Sequence, residues 1–454
     1  MVQKMKYVVI VGDGMADDPV ESLQGKTPLM RAKTPHMDWL AKHGEIGLVR
    51  TIPKGFSPGS EIANLSIFGY DPHRYYTGRG PLEAASLGVR LDPKDIAFRC
   101  NLITLQFKGS KTLMEDFSAG HISDEEARRI IIDLDREMGT KEIRFYPGVS
   151  YRHLMVFQNG AGRFSALDQL ELTPPHDITG KEIASFLPKV GGSKGSGGDR
   201  ILSLMKKSQE LLKNHRVNLD REAKGLRLAN SIWLWGQGRS PQMTTLVERF
   251  GIEGYVISAV HLLKGIGILA GLEALEVPGA TGYFDTNYDG KVAYALKGLK
   301  EKDFVYIHVE APDEAGHMCD LGLKIEMIET FDQKIVGPML KGLQSFERYR
   351  VLVLPDHPTS LSLRTHAADP VPYVIYSSDR NVPCKPRLAG GVKGHNIKRD
   401  YLAGKPRPLG GELQKGLGND SAEGFDEATA RKSQVFIEKG FELIERFLRT
   451  QPSN

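Results

Sequence analysis

The chain has 454 residues, enough at roughly 150 per domain for two or three domains, with 60 Lys and Arg against 56 Asp and Glu for a formal net charge of +4. The two signs are interspersed, which excludes a basic nucleic-acid stripe, and no apolar run is long enough to span a membrane. Three cysteines, Cys100, Cys319 and Cys384, are too few and too scattered for a disulfide framework or a Cys-rich zinc site, so reduced thiols and a cytoplasmic location are expected.

The first predicted strand is Lys6-Tyr-Val-Val-Ile-Val11, which runs straight into Gly12-Asp13-Gly14. It is continuous rather than alternating, the pattern of a parallel strand covered on both faces, and it is far shorter than a signal-peptide core. From about Tyr76 to Pro241 the pattern changes. Strand-like pieces appear at Arg99–Gln106 and Tyr151–Phe157, and helices are predicted after Ser123 and after Asp199. The stretch Gly191–Gly198 reads as a loop that lacks the Gly-Lys-Ser/Thr ending of a phosphate-binding loop. Trp233 and Trp235 read as packing residues. Gly265-Ile-Gly267 starts like a dinucleotide fingerprint, but the third glycine is misplaced at Gly271 and the motif is rejected.

Further on, Asp303–Val309 and Tyr349–Leu354 repeat the character of the first strand, with helical spacing over Leu321–Leu340 and Ala428–Leu448. Lys398–Asp420, rich in Gly, Lys and Pro, is predicted to be a surface loop. Strands alternating with helices predict an α/β chain with a doubly wound sheet. Its core would comprise residues 1–76 and 242–454, divided by a smaller α/β domain inserted at 77–241.

The chemistry gathers at strand ends. The three continuous strands lead into Asp13, into Asp313 with His317, and into Asp356 with His357. Open α/β sheets place ligands outside the carboxyl ends of their strands. Asp313 and His317 are four apart and share a face of one helical turn, and His366 follows nine residues after His357. Such a mixed nitrogen and oxygen set suits Mn²⁺, Zn²⁺ or Mg²⁺ rather than a thiolate-preferring metal.

The motifs Gly12-Asp-Gly-Met15, Pro58-Gly-Ser-Glu-Ile-Ala-Asn-Leu-Ser66, Ala311-Pro-Asp-Glu-Ala-Gly-His317, Pro355-Asp-His357 and Thr365-His366 stand in the order of the alkaline phosphatase superfamily. Ala229-Asn-Ser-Ile-Trp-Leu-Trp-Gly-Gln-Gly238, Ser258–Gly265 and Val277–Asn287 add a more specific likeness. On these the chain resembles the archaeal-type cofactor-independent phosphoglycerate mutases over nearly its whole length.

The resemblance implies an alkaline-phosphatase-like core and interconversion of 3-phosphoglycerate and 2-phosphoglycerate in glycolysis and gluconeogenesis. A phosphatase or another phosphomutase is the alternative. Ser60 matches the nucleophile, chosen over Ser57 and Ser66 by the Ser-Glu-Ile-Ala-Asn match. Asp13, Ser60, Asp356 and His357 resemble the ligands of one divalent ion; Asp313, His317 and His366 resemble those of a second. Mn²⁺ is the expected metal, with Mg²⁺, Co²⁺ and Zn²⁺ as alternatives, and no 2,3-bisphosphoglycerate is expected to be needed. Lys264 matches a lysine near the phosphate. The small phosphoglycerate substrate needs donors from the insert, for which His121, Arg152 and Arg239 are the candidates, followed by His176 and Asp177. No nucleic-acid or membrane partner is expected; the resemblance is to a family that often forms oligomers, which leaves a homo-oligomer open.

Overall fold

A computed structural model describes residues 4–163, 167–188, 197–379 and 424–449. The expected loop at Lys398–Asp420, Cys384 and most of Gly191–Gly198 lie outside the described residues. Contacts divide the chain into two units, one of residues 1–51 with 283–454 and one of residues 52–282.

In the first unit six strands pair in the order Phe436–Ile437, Glu45–Val49, Val371–Ser377, Tyr349–Leu354, Lys6–Gly12 and Phe304–Val309. Lys6–Gly12 lies parallel between Tyr349–Leu354 and Phe304–Val309, with Ile10 level with Val353 and Ile307. The three apolar runs read from the sequence are therefore adjacent central strands. Val8 to Val11, Phe304 to Val309 and Val351 to Leu354 are all buried, as strands covered on both faces must be. The sheet is mixed: Val371–Ser377 runs antiparallel to both of its neighbours.

The predicted helix at Leu321–Leu340 forms as Leu321–Phe331, a π turn Asp332–Val336, and Gly337–Leu343. Pro338 has no N–H to give to Lys334, and the wide turn accommodates that loss. The predicted helix at Ala428–Leu448 does not form as one piece. Glu427–Lys432 is helical, Gln434 turns left-handed at φ 59°, Phe436–Ile437 is a strand, and Leu443–Leu448 is a second helix. The extended-favouring Val435-Phe-Ile437 pairs in parallel with Glu45–Val49, so sheet pairing overrides the helical periodicity.

The second unit is built on the 13-residue strand Ile96–Lys108. It pairs antiparallel with Lys111–Asp116, Arg152–Phe157 and Ser231–Gly238, and Ile143–Val149 extends the sheet. Phe98, Cys100 and Leu102 pack with the helices Asp124–Met138 and Gly197–Leu212 into the main core of this unit. The first of those helices begins at Ser123 in a capping box with Glu126, as the sequence predicts. Alternation turns Ala97, Arg99 and Asn101 to the other face. There Ala97, Leu154 and Val156 meet Ala84 of the helix Arg79–Ser86. Among the described residues no helix is long and apolar enough to cross a membrane.

Candidate functional site

Two donor sets stand at the strand ends of the first unit. Asp13, Asp356 and His357 form one, and Asp313, His317 and His366 the other, each with its ligand atoms within 4.8 Å of one another. The strand Lys6–Gly12 delivers Asp13, and Tyr349–Leu354 delivers Asp356 and His357. Phe304–Val309 leads into the short helix Ala311–His317, which carries Asp313 and His317 on one face. The hairpin Thr359–Ser360 with Thr365–His366 folds His366 back until its ring lies 4.1 Å from that of His357. The two sets are therefore contiguous.

Local hydrogen bonds hold the carboxylates. Asp356 Oδ1 accepts from the backbone N–H of Gly14 at 3.1 Å and of His357 at 2.9 Å. Gly14, at φ +62°, has no room for a side chain beside Asp313 and Thr359. The hydroxyl of Thr359 donates to Asp313 Oδ1. Asp13 Oδ2 lies 3.0 Å from Nε2 of the buried His308. Burial drives the His308 pKa down to about 3 and keeps the ring neutral, so it faces Asp13 as a dipole rather than a second cation.

The residues fit divalent cations on three counts. Asp13 Oδ1 is buried and accepts no hydrogen bond among the described residues. Burial, and then the charges of Asp356 and Asp313, push the Asp13 carboxyl well above its ordinary range, a strain that a cation relieves. His317 Nε2 lies 3.3 Å from Asp313, and its Nδ1 lies 3.3 Å from the Arg364 carbonyl, so a cation can take the place of the Nε2 proton while the carbonyl keeps the proton on Nδ1. Burial also works against ionised Asp313, but hydrogen bonds from His317 and His366 win and hold its pKa well below the usual range.

Ser60 and Lys264 belong to the second unit. Ser60 opens the helix Ser60–Ile67, half-buried, with its carbonyl accepting from Asn64 Nδ2 at 2.9 Å. Ser57 is exposed in the preceding loop, and Ser66 is fully buried. Lys264 is not the solvated helix lysine that its surroundings in the sequence suggest. It is buried in the helix His261–Leu269, and its Nζ lies 2.7 Å from both carboxylate oxygens of Glu276.

Of the three leading candidates to meet substrate, His121, Arg152 and Arg239, the first two come together. The ring of His121 lies 6.0 Å from that of Tyr151, and the Arg152 guanidinium sits 5.3 Å from the Tyr151 ring centroid. His121 ends a left-handed run with Ala119 and Gly120, at φ 50°, 50° and 65° for His121, Ala119 and Gly120, tied down by Ser118 Oγ accepting from the His121 N–H. His176 joins this group through Phe117 and Trp235. Arg239 does not: it is ion-paired with Asp168 at 2.6 Å. Trp233 and Trp235 are buried in the core, as expected, but Trp235 also underlies the guanidinium groups of Arg99 at 4.4 Å and Arg79 at 5.6 Å. Arg79, Arg99, Thr359 and His308 carry no signal in the sequence, because only strand register and packing bring them to these positions.

The family model described as 2,3-bisphosphoglycerate-independent phosphoglycerate mutase matches residues 41–218. A probable 2,3-bisphosphoglycerate-independent phosphoglycerate mutase of Geobacter sulfurreducens is 48% identical over 98% of this chain and 100% of its own length. The 2,3-bisphosphoglycerate-independent phosphoglycerate mutase of Methanosarcina barkeri is 48% identical over 97% of this chain and 98% of its own. Among solved structures, a Pyrococcus horikoshii protein aligns with a TM-score of 0.74 at 27% identity, covering 100% of both chains. The cofactor-independent phosphoglycerate mutase of Thermoplasma acidophilum aligns with a TM-score of 0.60 at 25% identity, over 98% of this chain and 99% of that one.

Proposed function

The chain belongs to the 2,3-bisphosphoglycerate-independent phosphoglycerate mutases, isomerases that interconvert 3-phosphoglycerate and 2-phosphoglycerate, and we propose that it does so by passing the phosphoryl group through Ser60. The observation that carries this reading is the contiguous pair of donor sets, Asp13–Asp356–His357 and Asp313–His317–His366. Divalent ions held there, with Ser60 as a further ligand of the first, would lower the pKa of the serine hydroxyl and neutralise the charge on the phosphoryl oxygens. Mn²⁺ is the proposed metal, with Mg²⁺, Co²⁺ or Zn²⁺ as substitutes.

The chain's own groups account for the rest. Ser60 accepts the phosphoryl group and gives it back to the other hydroxyl of the same glycerate, so no bisphosphoglycerate enters the cycle. Lys264 exchanges its Glu276 partner for the transferring group and adds positive charge where negative charge develops. His121, Arg152 and Arg239, in the insert at 77–241, keep the glycerate bound while it reorients. Holding it and excluding water separate a mutase from a phosphatase. A cytoplasmic location and a homo-oligomer complete the proposal.

The test is to incubate the protein with 3-phosphoglycerate and Mn²⁺, without bisphosphoglycerate, and to follow 2-phosphoglycerate and free phosphate. Isomerisation without phosphate release is expected; phosphate release without isomerisation overturns the mutase reading in favour of a phosphatase.

A further inference from the structure

We propose that Arg99, with Arg152 beside it, is the receptor for the carboxylate of the bound glycerate. The inference rests on the mutase reading for the identity of the ligand, and on the geometry of the second unit for the site.

Arg99 and Asn101 are alternate residues of the strand Ile96–Lys108 and so share a face, opposite Phe98, Cys100 and Leu102. Arg99 is level with Trp235 on one neighbouring strand and Leu154 on the other, and Asn101 is level with Arg152. Arg99 and Arg152 are therefore diagonal neighbours on one sheet face, within reach of a single small ligand. The helix Arg79–Ser86 brings Arg79 and Glu83 over the same face.

Arg99 is only 8% exposed, and its guanidinium is stacked on Trp235. Its Nε lies 3.1 Å from Glu83 Oε1 but is not aimed at it, and Nε makes no hydrogen bond among the described residues. A desolvated guanidinium with an idle donor is costly to keep, and proteins retain such a group where a ligand completes it. Burial lowers the Arg99 pKa; the charge of Glu83 opposes this, and the charges of Arg79 and Arg152 add to the lowering.

The charge balance selects the ligand. Arg79 is offset by Glu61 at 2.7 Å, and Arg99 faces Glu83. Arg152 is exposed, and among the described residues its recorded neighbours include the Tyr151 ring but no carboxylate in ion-pair range. One positive charge is thus uncompensated, which matches a carboxylate better than a phosphate dianion. The planar guanidinium fork also matches the two oxygens of a carboxylate. Trp235 fixes the plane of Arg99 in advance, and Arg152 at the exposed end leaves the site open to a ligand from solvent.

The test separates the two ends of the substrate. The metal-loaded full-length protein is titrated calorimetrically with D-glycerate, which has the carboxylate alone, and with glycerol 3-phosphate, which has the phosphate alone. Arg99→Met and Arg152→Met are each expected to weaken glycerate binding by about tenfold or more and to change glycerol 3-phosphate binding by less than about twofold. Arg99→Lys, which keeps the charge and loses the fork, is expected to weaken glycerate as well. Because Arg152 is exposed, its variant tests the site even if Arg99→Met does not fold. Unchanged glycerate affinity in Arg152→Met, or a loss confined to glycerol 3-phosphate, overturns the inference. Isomerisation by the unaltered protein is scored separately. Turnover with glycerate affinity intact in the variants sinks this inference alone; Arg99-dependent glycerate binding without turnover sinks the mutase reading alone.

Discussion

The Nε2 atoms of His317 and His366 lie 2.9 Å apart, and both face the carboxylate of Asp313, at 3.3 Å and 3.4 Å. Hydrogen bonding to Asp313 raises the His317 pKa to about 8, and with Nδ1 beside the Arg364 carbonyl a divalent cation can replace the proton that Nε2 shares with this cluster. Removing either ring should leave the Asp13 set intact. We expect His317→Ala and His366→Ala each to lose about one equivalent of bound Mn²⁺ relative to the unaltered protein, counted by elemental analysis after dialysis. Chelator should abolish isomerisation and added Mn²⁺ restore it. Unchanged metal content in both variants would contradict the assignment.

Three serines compete for the role of phosphoryl acceptor in Ser57–Ser66, and their environments differ. Ser57 is exposed in a loop, Ser66 is fully buried with no hydrogen bond to its Oγ among the described residues, and Ser60 stands half-buried at the start of a helix. Ser60→Ala should lower kcat by at least about a thousandfold, and rapid quenching with labelled substrate should place phosphate on a peptide containing Ser60. Ser57→Ala should retain activity. Ser66→Ala removes an unsatisfied buried hydroxyl and should leave the melting temperature unchanged or higher. Full activity in Ser60→Ala would refute the covalent route.

The donor sets were legible because their residues are local: Asp313 and His317 sit on one helical turn, Asp356 and His357 are adjacent, and both pairs follow buried strands whose apolar runs need no partner to be recognised. Arg99 was not legible. An arginine in a strand reads like any other until register puts Trp235 opposite it and a helix brings Glu83 across. Lys264 stands out only through the family resemblance, for a similar reason. Its burial follows from Gly265 packing directly on the Leu82 carbonyl, a contact between segments about 180 residues apart in sequence. The C-terminal helix failed where the open edge of Glu45–Val49 claimed Phe436 and Ile437. In each case the missing information was long-range pairing, which periodicity does not carry.

Arg79 owes its place over Trp235 to two interlocked glycine segments, Thr77-Gly-Arg-Gly and Trp235-Gly-Gln-Gly. Gly78, at φ +139°, lies so close to the Gln237 carbonyl that a Cβ would collide with it, and Gly238 lies as close to the Thr77 carbonyl. Neither obstacle is a movable side chain. Gly78→Ala should therefore destabilise the second unit by about 2–4 kcal/mol, from backbone strain plus overlap. Chemical denaturation followed by the fluorescence of Trp233 and Trp235 reads this out. A variant as stable as the original would show that the two segments are not locked together.

His153 is 1% exposed on the strand Arg152–Phe157, and its Nδ1 accepts from the Gly148 N–H at 3.0 Å. The proton therefore sits on Nε2, which has no partner among the described residues. Burial, then the charge of Arg152, lowers the His153 pKa to about 3, whereas the unfolded chain titrates near 6.5. Between those values the unfolded state binds a proton that the folded state excludes, so this group destabilises the fold as pH drops below about 6.5, by up to about 1.4 kcal/mol per pH unit. From pH 7 to pH 5 the loss from His153 alone should be about 2 kcal/mol. His153→Gln keeps an acceptor for Gly148 and has nothing to protonate, so its denaturation free energy should fall less over that interval, by about that amount. Parallel stability curves for the two proteins would show that His153 titrates normally in the folded state.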